Sequence, residues 1–449
     1  MGATAHGDGS PLDDLADPLP IEPVDGPLDA VVRPPGSKSI TNRALVCAAL
    51  ADGLSSLDGA LFADDTEAML GCLHELGVGL RLDRGAASVA VEGVAGAPPA
   101  TGALLDARLS GTTSRFVLPV AALGHGTVVM DGGAPLRTRP MADLFDALVA
   151  LGAQLEPLGE AGHLPVRLEA AGLAGGRVSV RGDASSQFLS GLLLAAPCMR
   201  DGLTIEVSTE LVSVPYVEMT LAVMAAFGAE HDHDEADPGS PRVISVRPGG
   251  YRALERYAIE PDASAASYFV AAAAICGGSV RIEGLDTGSL QGDVGFVDVL
   301  ERMGVTVERG VDHLTVTGGG ELQGVVVDLA DLSDTAQTLA VVAPFASSPT
   351  TITGIGFIRG KETDRIGAVV TELRRCGIDA EELPDGLRVH PGSPTSATVS
   401  TYDDHRMAMS FALLGLRAPG ISIADPGCVA KTFPGYWRAL EDLRRAGRS

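Results

Sequence analysis

The chain has 449 residues, 45% of them hydrophobic, enough for two or three domains with substantial cores. Its formal net charge of −25 excludes a surface built for nucleic acid or an anionic membrane, since both would be repelled over most of it. Six cysteines stand singly, with no C-x-x-C pair, which fits a reduced cytoplasm and offers no structural zinc.

Residues 1–27 are acidic and rich in Pro, Gly and Asp, without a basic start or an apolar stretch. They predict a disordered tail and no signal peptide. Residues 28–36 are expected to join two domains by crossing back to the second half. Within the following "RPPGSKSITNRALVCAAL", Pro34, Pro35 and Gly36 break regular structure, and Leu45, Val46, Ala49 and Leu50 share one face at helical spacing. A helix therefore opens between Ser37 and Thr41. Free N–H groups at such a start, joined by Lys38, Ser39 and Arg43, suit a phosphate or carboxylate. A capped helix with solvated cations accounts for this stretch equally well. A phosphate loop of the G-x-x-x-x-G-K-S/T type does not, because Ser37 rather than glycine precedes Lys38.

Further along, a period of about 75 residues emerges. Six amphipathic helical patterns close on Gly77, Gly152, Gly228, Gly304, Gly377 and Gly447, the usual left-handed stop, and a strand-like run follows the first five. Between them lie six helices rich in Ala and Leu and nearly free of charge beyond their first turn, from "SITNRALVCAAL" to "DHRMAMSFALLGL". These are expected to be buried on most sides, and the longest such run, "YFVAAAAIC", is too short to span a bilayer. The chain reads as an α/β fold of repeated α+β units, strand, helix, strand, helix, strand. Six units suit two similar domains of three, at 37–257 and 258–449, better than one core.

Polar residues gather where the uncharged helices begin. "SGTTSR" offers Gly111, Thr112 and Arg115; "GDASSQF" offers Ser185, Ser186 and Gln187; "YDDHRMAM" offers Asp404, His405 and Arg406. The Ser, Thr and Asp residues also read as helix caps. Arg115 and Arg406 are harder to explain so, because a cation in a first turn opposes the helix dipole. The other helix series adds Arg137, Arg139, Arg359, Lys361, Arg365 and Lys431. If these ends face one cleft, the cations converge on a ligand with several negative charges. Among them, Asp334 and Glu362 could move protons in a water-poor cleft, or be an ordinary helix cap and a first-turn acid. No Ser or Cys has an activating His partner and His405 has no metal companion, so covalent hydrolysis and metal catalysis are not expected.

Taken together, "PGSKSITNRAL", "SGTTSRF", "LRTRP", "SSQFLSGLLLAAP", "LVSVPY", "PDASAASYF", "KETDRI", "DDHRMAM" and "CVAKTFPGYW" resemble the enolpyruvyl transferases from about Leu28 onward. They are most similar to the branch acting on shikimate 3-phosphate. The resemblance implies two similar domains, each of three repeated βαβαββ units with buried parallel helices, an inverse α/β barrel-like arrangement that closes on substrate. It implies that phosphoenolpyruvate meets Lys38, Gly111, Arg139, Gln187, Arg365, Arg406 and Lys431. Shikimate 3-phosphate would meet Ser39, Arg43, Ser185, Ser186, Gln187, Ser213, Tyr216, Asp334 and Lys361. The catalytic residues would be Lys38, Asp334 as base for the 5-hydroxyl, and Glu362 as proton carrier to the methylene. No cofactor or metal, no nucleic acid or membrane partner, and a cytoplasmic monomer are implied.

Leu109 stands where many members have Asn, Ser114 and Phe116 differ from common neighbours, and Phe357 replaces a frequent Asn. The sister branch acting on UDP-N-acetylglucosamine typically has Asn after the first lysine and a cysteine before its "RP"; here Ser39 follows Lys38 and "GGAPLRTRP" has no cysteine. A non-catalytic anion-binding relative is disfavoured by Lys38, Asp334, Glu362 and Lys431 all being present.

Overall fold

The computed structural model of the protein describes residues 15–99, 102–183, 185–233 and 242–447. The period seen in the sequence becomes a repeated βαβαββ unit. In the second unit, strand Ala103–Asp106 leads through helix Gly111–Ala122 to strand His125–Asp131, which it pairs in parallel. Helix Ala142–Ala150 then precedes strands Gln154–Pro157 and Val166–Ala171, which complete the sheet antiparallel. A right-handed crossover through a helix is the ordinary way to join parallel neighbours. The same strand order recurs in the third unit, from Gly176–Val180 to Arg242–Val246, and in the fifth, from Val326–Asp328 to Gly386–Val389. All these sheets are open; none closes into a barrel among the described residues.

Two units obtain their first strand from elsewhere in the chain. Leu28–Val32 pairs in parallel with Gly278–Glu283 of the second half, and Tyr257–Ala258 pairs in parallel with Leu54–Asp58 of the first. The crossing segments run against each other: Ser37 N donates to Glu260 O at 2.8 Å and Asp262 N to Pro35 O at 2.8 Å.

The charge-poor helices are buried as their composition demands. Lys38–Leu50, Gly111–Ala122 and Ser186–Ala195 lie in one apolar cluster spanning Ile40 to Ile259. Ala263–Cys276, Ala336–Val342 and His405–Gly415 lie in a second, with Ile21 and Leu28. No helix among the described residues is long and apolar enough to cross a membrane.

The expected disordered tail needs correction from residue 15 onward, while residues 1–14 fall outside the described residues. Leu19–Pro20 pairs antiparallel with Ile421–Ile423, and Ile21 is 7% exposed in the second cluster. The sixth unit reaches its last helix, Tyr436–Ala446, without the final two strands of the others, so Ile421–Ile423 would present an open edge. The N-terminal segment covers it. Gly415 makes room, since a Cβ there would lie 2.5 Å from Ile21 Cβ.

Candidate active site

The buried helices point their N-terminal ends at one cleft. Ser37, Ser110, Ser185 and Asp404 cap four of them by accepting from backbone N–H groups two or three residues on, so the capping explanation holds for these side chains. The residues just inside the caps line the cleft. Lys38, Gly111, Thr112, Gln187 and Arg406 join Asp65, Arg139, Asp334, Lys361, Glu362, Arg365 and His405 around a cavity with an empty volume of about 350 Å³. Cations outnumber carboxylates in this lining, although the protein as a whole is strongly acidic.

Each carboxylate is clamped. Asp334 accepts from Arg365 Nη1 at 3.2 Å and Arg406 Nη2 at 2.5 Å. Glu362 accepts from Arg365 Nη2 at 2.7 Å and lies 3.9 Å from Arg139 and 4.0 Å from Lys431. Asp65 bridges Lys38 at 3.2 Å and Lys431 at 2.9 Å. Behind them, buried Asp404 accepts from Arg365 Nε at 2.8 Å. Burial alone would raise these acids. For Asp334 the charges of Arg406 and Arg365 reverse it, for Glu362 those of Arg365 and Arg139, and for Asp65 those of Lys431 and Lys38, leaving all three below the usual carboxylate range. Lys361 has the opposite fate: burial, which Asp334 only partly offsets, lowers it to about 8. His405 is held neutral by burial beside Arg406 and Lys38.

A second cavity adjoins the first through Lys38, Thr112, Gln187, Asp334 and Lys361. Its further walls include Ser39, Arg43, Phe116, Ser186, Ser213 and Tyr216. Ser213 takes a left-handed backbone at φ 55°, an uncommon conformation for serine and one that recurs at functional sites. Tyr216 Oη reaches across the cleft to Asp334 Oδ2 at 3.1 Å.

The sequence model of the family described as EPSP synthase (3-phosphoshikimate 1-carboxyvinyltransferase) matches residues 24–440. The chain belongs to the EPSP synthase family. It is 46% identical over 421 residues to the 3-phosphoshikimate 1-carboxyvinyltransferase of Nostoc punctiforme, covering 94% of this chain and 98% of that one. To the enzyme of that name from Yersinia pseudotuberculosis it is 42% identical over 432 residues, covering 96% and 99%. Among solved structures, EPSP synthase from Acinetobacter baumannii superposes with a TM-score of 0.79 at 26% identity, covering 94% and 97%. The fold class and the enolpyruvyl transferase activity expected from the motifs therefore hold.

Within this family member, several residues that stand out in the sequence lie apart from the cleft, and others play more than one part. Arg137 turns outward to Asp131, and Arg359 pairs with Asp364 and Glu382, so neither adds to the convergent charge. Ser185 caps its helix and is absent from both linings. Arg43 lines the second cavity but directs its donors to Thr220, Ser39 O, Ser190 and Tyr216 O, which makes it a brace as well. Arg115 is buried against Gln187, Pro140 O and the Phe188 ring. Lys431 is buried, donates to Leu109 O at 2.8 Å and lines neither cavity. The Phe357 ring lies 5.8 Å from Lys361 Nζ, a cation–π contact.

Asp65 joins the site without any signal in the sequence. "ADDTEAM" looks like a routine acidic helix start, and only the approach of Lys431 from the far end of the chain gives it a role. Among the described residues no group of three or more His, Cys, Asp or Glu side chains is placed to hold a metal ion.

Proposed function

We propose that the first cavity takes phosphoenolpyruvate and the second shikimate 3-phosphate, with the reacting atoms meeting at their shared wall. The observation that carries this reading is the division of lining residues. Gly111, Arg139, Arg365 and Arg406 line only the first cavity; Ser39, Arg43, Ser186, Ser213 and Tyr216 line only the second; Lys38, Gln187, Asp334 and Lys361 line both. The guanidinium groups suit a carboxylate and a phosphate, and Lys361, short of an ion-pair partner among the described residues, suits the ester phosphate.

In this reading Asp334 takes the proton of the 5-hydroxyl as its oxygen attacks C2 of phosphoenolpyruvate, and Glu362 delivers a proton to the methylene carbon. The tetrahedral adduct then loses phosphate from C2 while Glu362 takes a proton back from the methyl carbon, which restores the double bond. Glu362 begins as an anion because Arg365, Arg139 and Lys431 surround it. An anionic substrate offsets those charges and raises the basicity of Glu362, which takes up a proton from water as the site fills and then gives it to the methylene. The cations stabilise the leaving phosphate, and closure of the cleft keeps water out.

Domains at 37–257 and 258–449, joined by 28–36, would close around the substrates, which the separate apolar clusters support. Free cysteines support a cytoplasmic enzyme, and a monomer is the expected state. The test is phosphate release from phosphoenolpyruvate with shikimate 3-phosphate, with UDP-N-acetylglucosamine and with neither. Release with shikimate 3-phosphate alone, lost in Lys38→Ala, is expected. Release with the UDP-sugar alone would move the enzyme to the sister activity, and binding without release would make it a non-catalytic relative.

A further inference from the structure

Asp293 lies in the short turn Gly292–Gly295 of the second half and is 5% exposed. Its Oδ2 accepts from Ser264 Oγ and lies 3.4 Å from Tyr216 Oη, while its Oδ1 has no hydrogen-bond partner. It also borders a largely apolar cavity walled by Val270, Ile282, Leu285, Phe296 and Leu314, which offers that oxygen little. The same Tyr216 Oη is 3.1 Å from Asp334 Oδ2.

A phenol carries one hydrogen and can donate it to one of two flanking carboxylates. The other must donate to the phenol or set lone pair against lone pair. Asp334, held by Arg365 and Arg406, is the anion. Asp293 makes no ion pair among the described residues and has an orphan oxygen, an arrangement that is costly for a buried charge and tolerable for a neutral acid.

We propose that Asp293 is a positioning residue for Asp334: as a neutral acid it donates to Tyr216, which thereby turns its own hydrogen onto Asp334. The inference rests on the reading of Asp334 as the base. Ionisation of Asp293 would draw the Tyr216 hydrogen away and leave Asp334 facing a second negative charge. The titratable and charged groups facing Asp293 are Tyr216, Asp334, Asp262 and Arg406. Burial and the charge of Asp334 raise its pKa, against the Ser264 hydrogen bond and Arg406, to about 7. The device therefore switches near neutrality.

Two measurements test it. Infrared difference spectra of the wild type minus Asp293→Asn, below neutral pH, are expected to show the carbonyl band of a protonated carboxylic acid, fading as pH rises through about 7. Absence of the band overturns the inference whatever the reaction proves to be. In turnover, the wild-type kcat at saturating substrates is expected to fall on the alkaline side of that value and the fall to be missing in Asp293→Asn, whose amide donates but cannot ionise. Superimposable profiles overturn the positioning role. If the variant fails to fold, the wild-type band and its shift in Tyr216→Phe decide, an unshifted band counting against the link. If shikimate 3-phosphate proves not to be the substrate, the functional reading falls while the infrared result still stands.

Discussion

Lys431 Nζ donates to Asp65 Oδ1 at 2.9 Å although 366 residues separate the two. The same carboxylate holds Lys38, so one acid from the first half keeps two lysines side by side next to the first cavity. Without it they would repel. Breaking a buried pair by removing one partner costs roughly 3–5 kcal/mol. Asp65→Asn should therefore lower the melting temperature, and inorganic phosphate should restore more of it than it adds to the wild type. Thermal denaturation with and without phosphate checks both parts.

Asp334 is the carboxylate shared by both cavities, so its amide replacement tests chemistry with little change in shape. A positioned acid or base is worth roughly 10²- to 10⁴-fold. Asp334→Asn should lose turnover in that range under saturating substrates. Equal kcat for the two proteins would remove Asp334 from the mechanism.

Gly111 begins a buried helix directly under the Arg139 guanidinium, where a Cβ would lie 2.8 Å from Arg139 Nη1. Alanine favours the helix, so stability should hold or rise slightly. The displaced guanidinium should raise KM for phosphoenolpyruvate about tenfold, equivalent to about 1.4 kcal/mol. Steady-state kinetics paired with a melting curve separates the two effects.

Lys361 has its pKa lowered to about 8 by burial, so it is charged below that value and neutral above it. Affinity for shikimate 3-phosphate should fall as pH rises through about 8, and Lys361→Ala should flatten the dependence. The sign for stability is opposite. The unfolded lysine keeps its proton to about pH 10.4, so this group's burial penalty is relieved between the two values. Binding titrations and denaturant melts across that window measure each trend.

Ile21 anchors the N-terminal segment in the second apolar cluster. Truncating a buried aliphatic side chain to alanine costs roughly 2–5 kcal/mol. Ile21→Ala should destabilise the enzyme in that range, whereas no loss in a urea melt would mean the segment is dispensable.

Local signals make the repeat legible: a glycine closing each amphipathic helix and a run of Ala and Leu free of charge are written within single units. The cleft is legible for the same reason, because Lys38, Gly111, Gln187 and Arg406 occupy helix starts whose direction the fold makes common. Interactions between distant segments are not. Leu19–Pro20 reads as a polar tail until the unpaired edge of Ile421–Ile423 is known. Arg137 and Arg359 look no different in sequence from Arg139 and Arg365, yet nearby surface acids claim the first two. Asp293 in "QGDVGF" has no local mark at all; its importance comes from a tyrosine 77 residues earlier.

The paired crossing segments have a mechanical consequence. Gly36 and Pro261 bridge antiparallel, and Lys38 N donates to Asp262 Oδ2 at 3.1 Å, so two covalent links between the halves are laced into a single narrow ribbon. One strand could swivel in any direction; two side by side resist twisting and leave bending as the easy motion. Lys38 is bound into this ribbon through its own backbone N–H, so the joint between the halves also fixes one cation of the cleft.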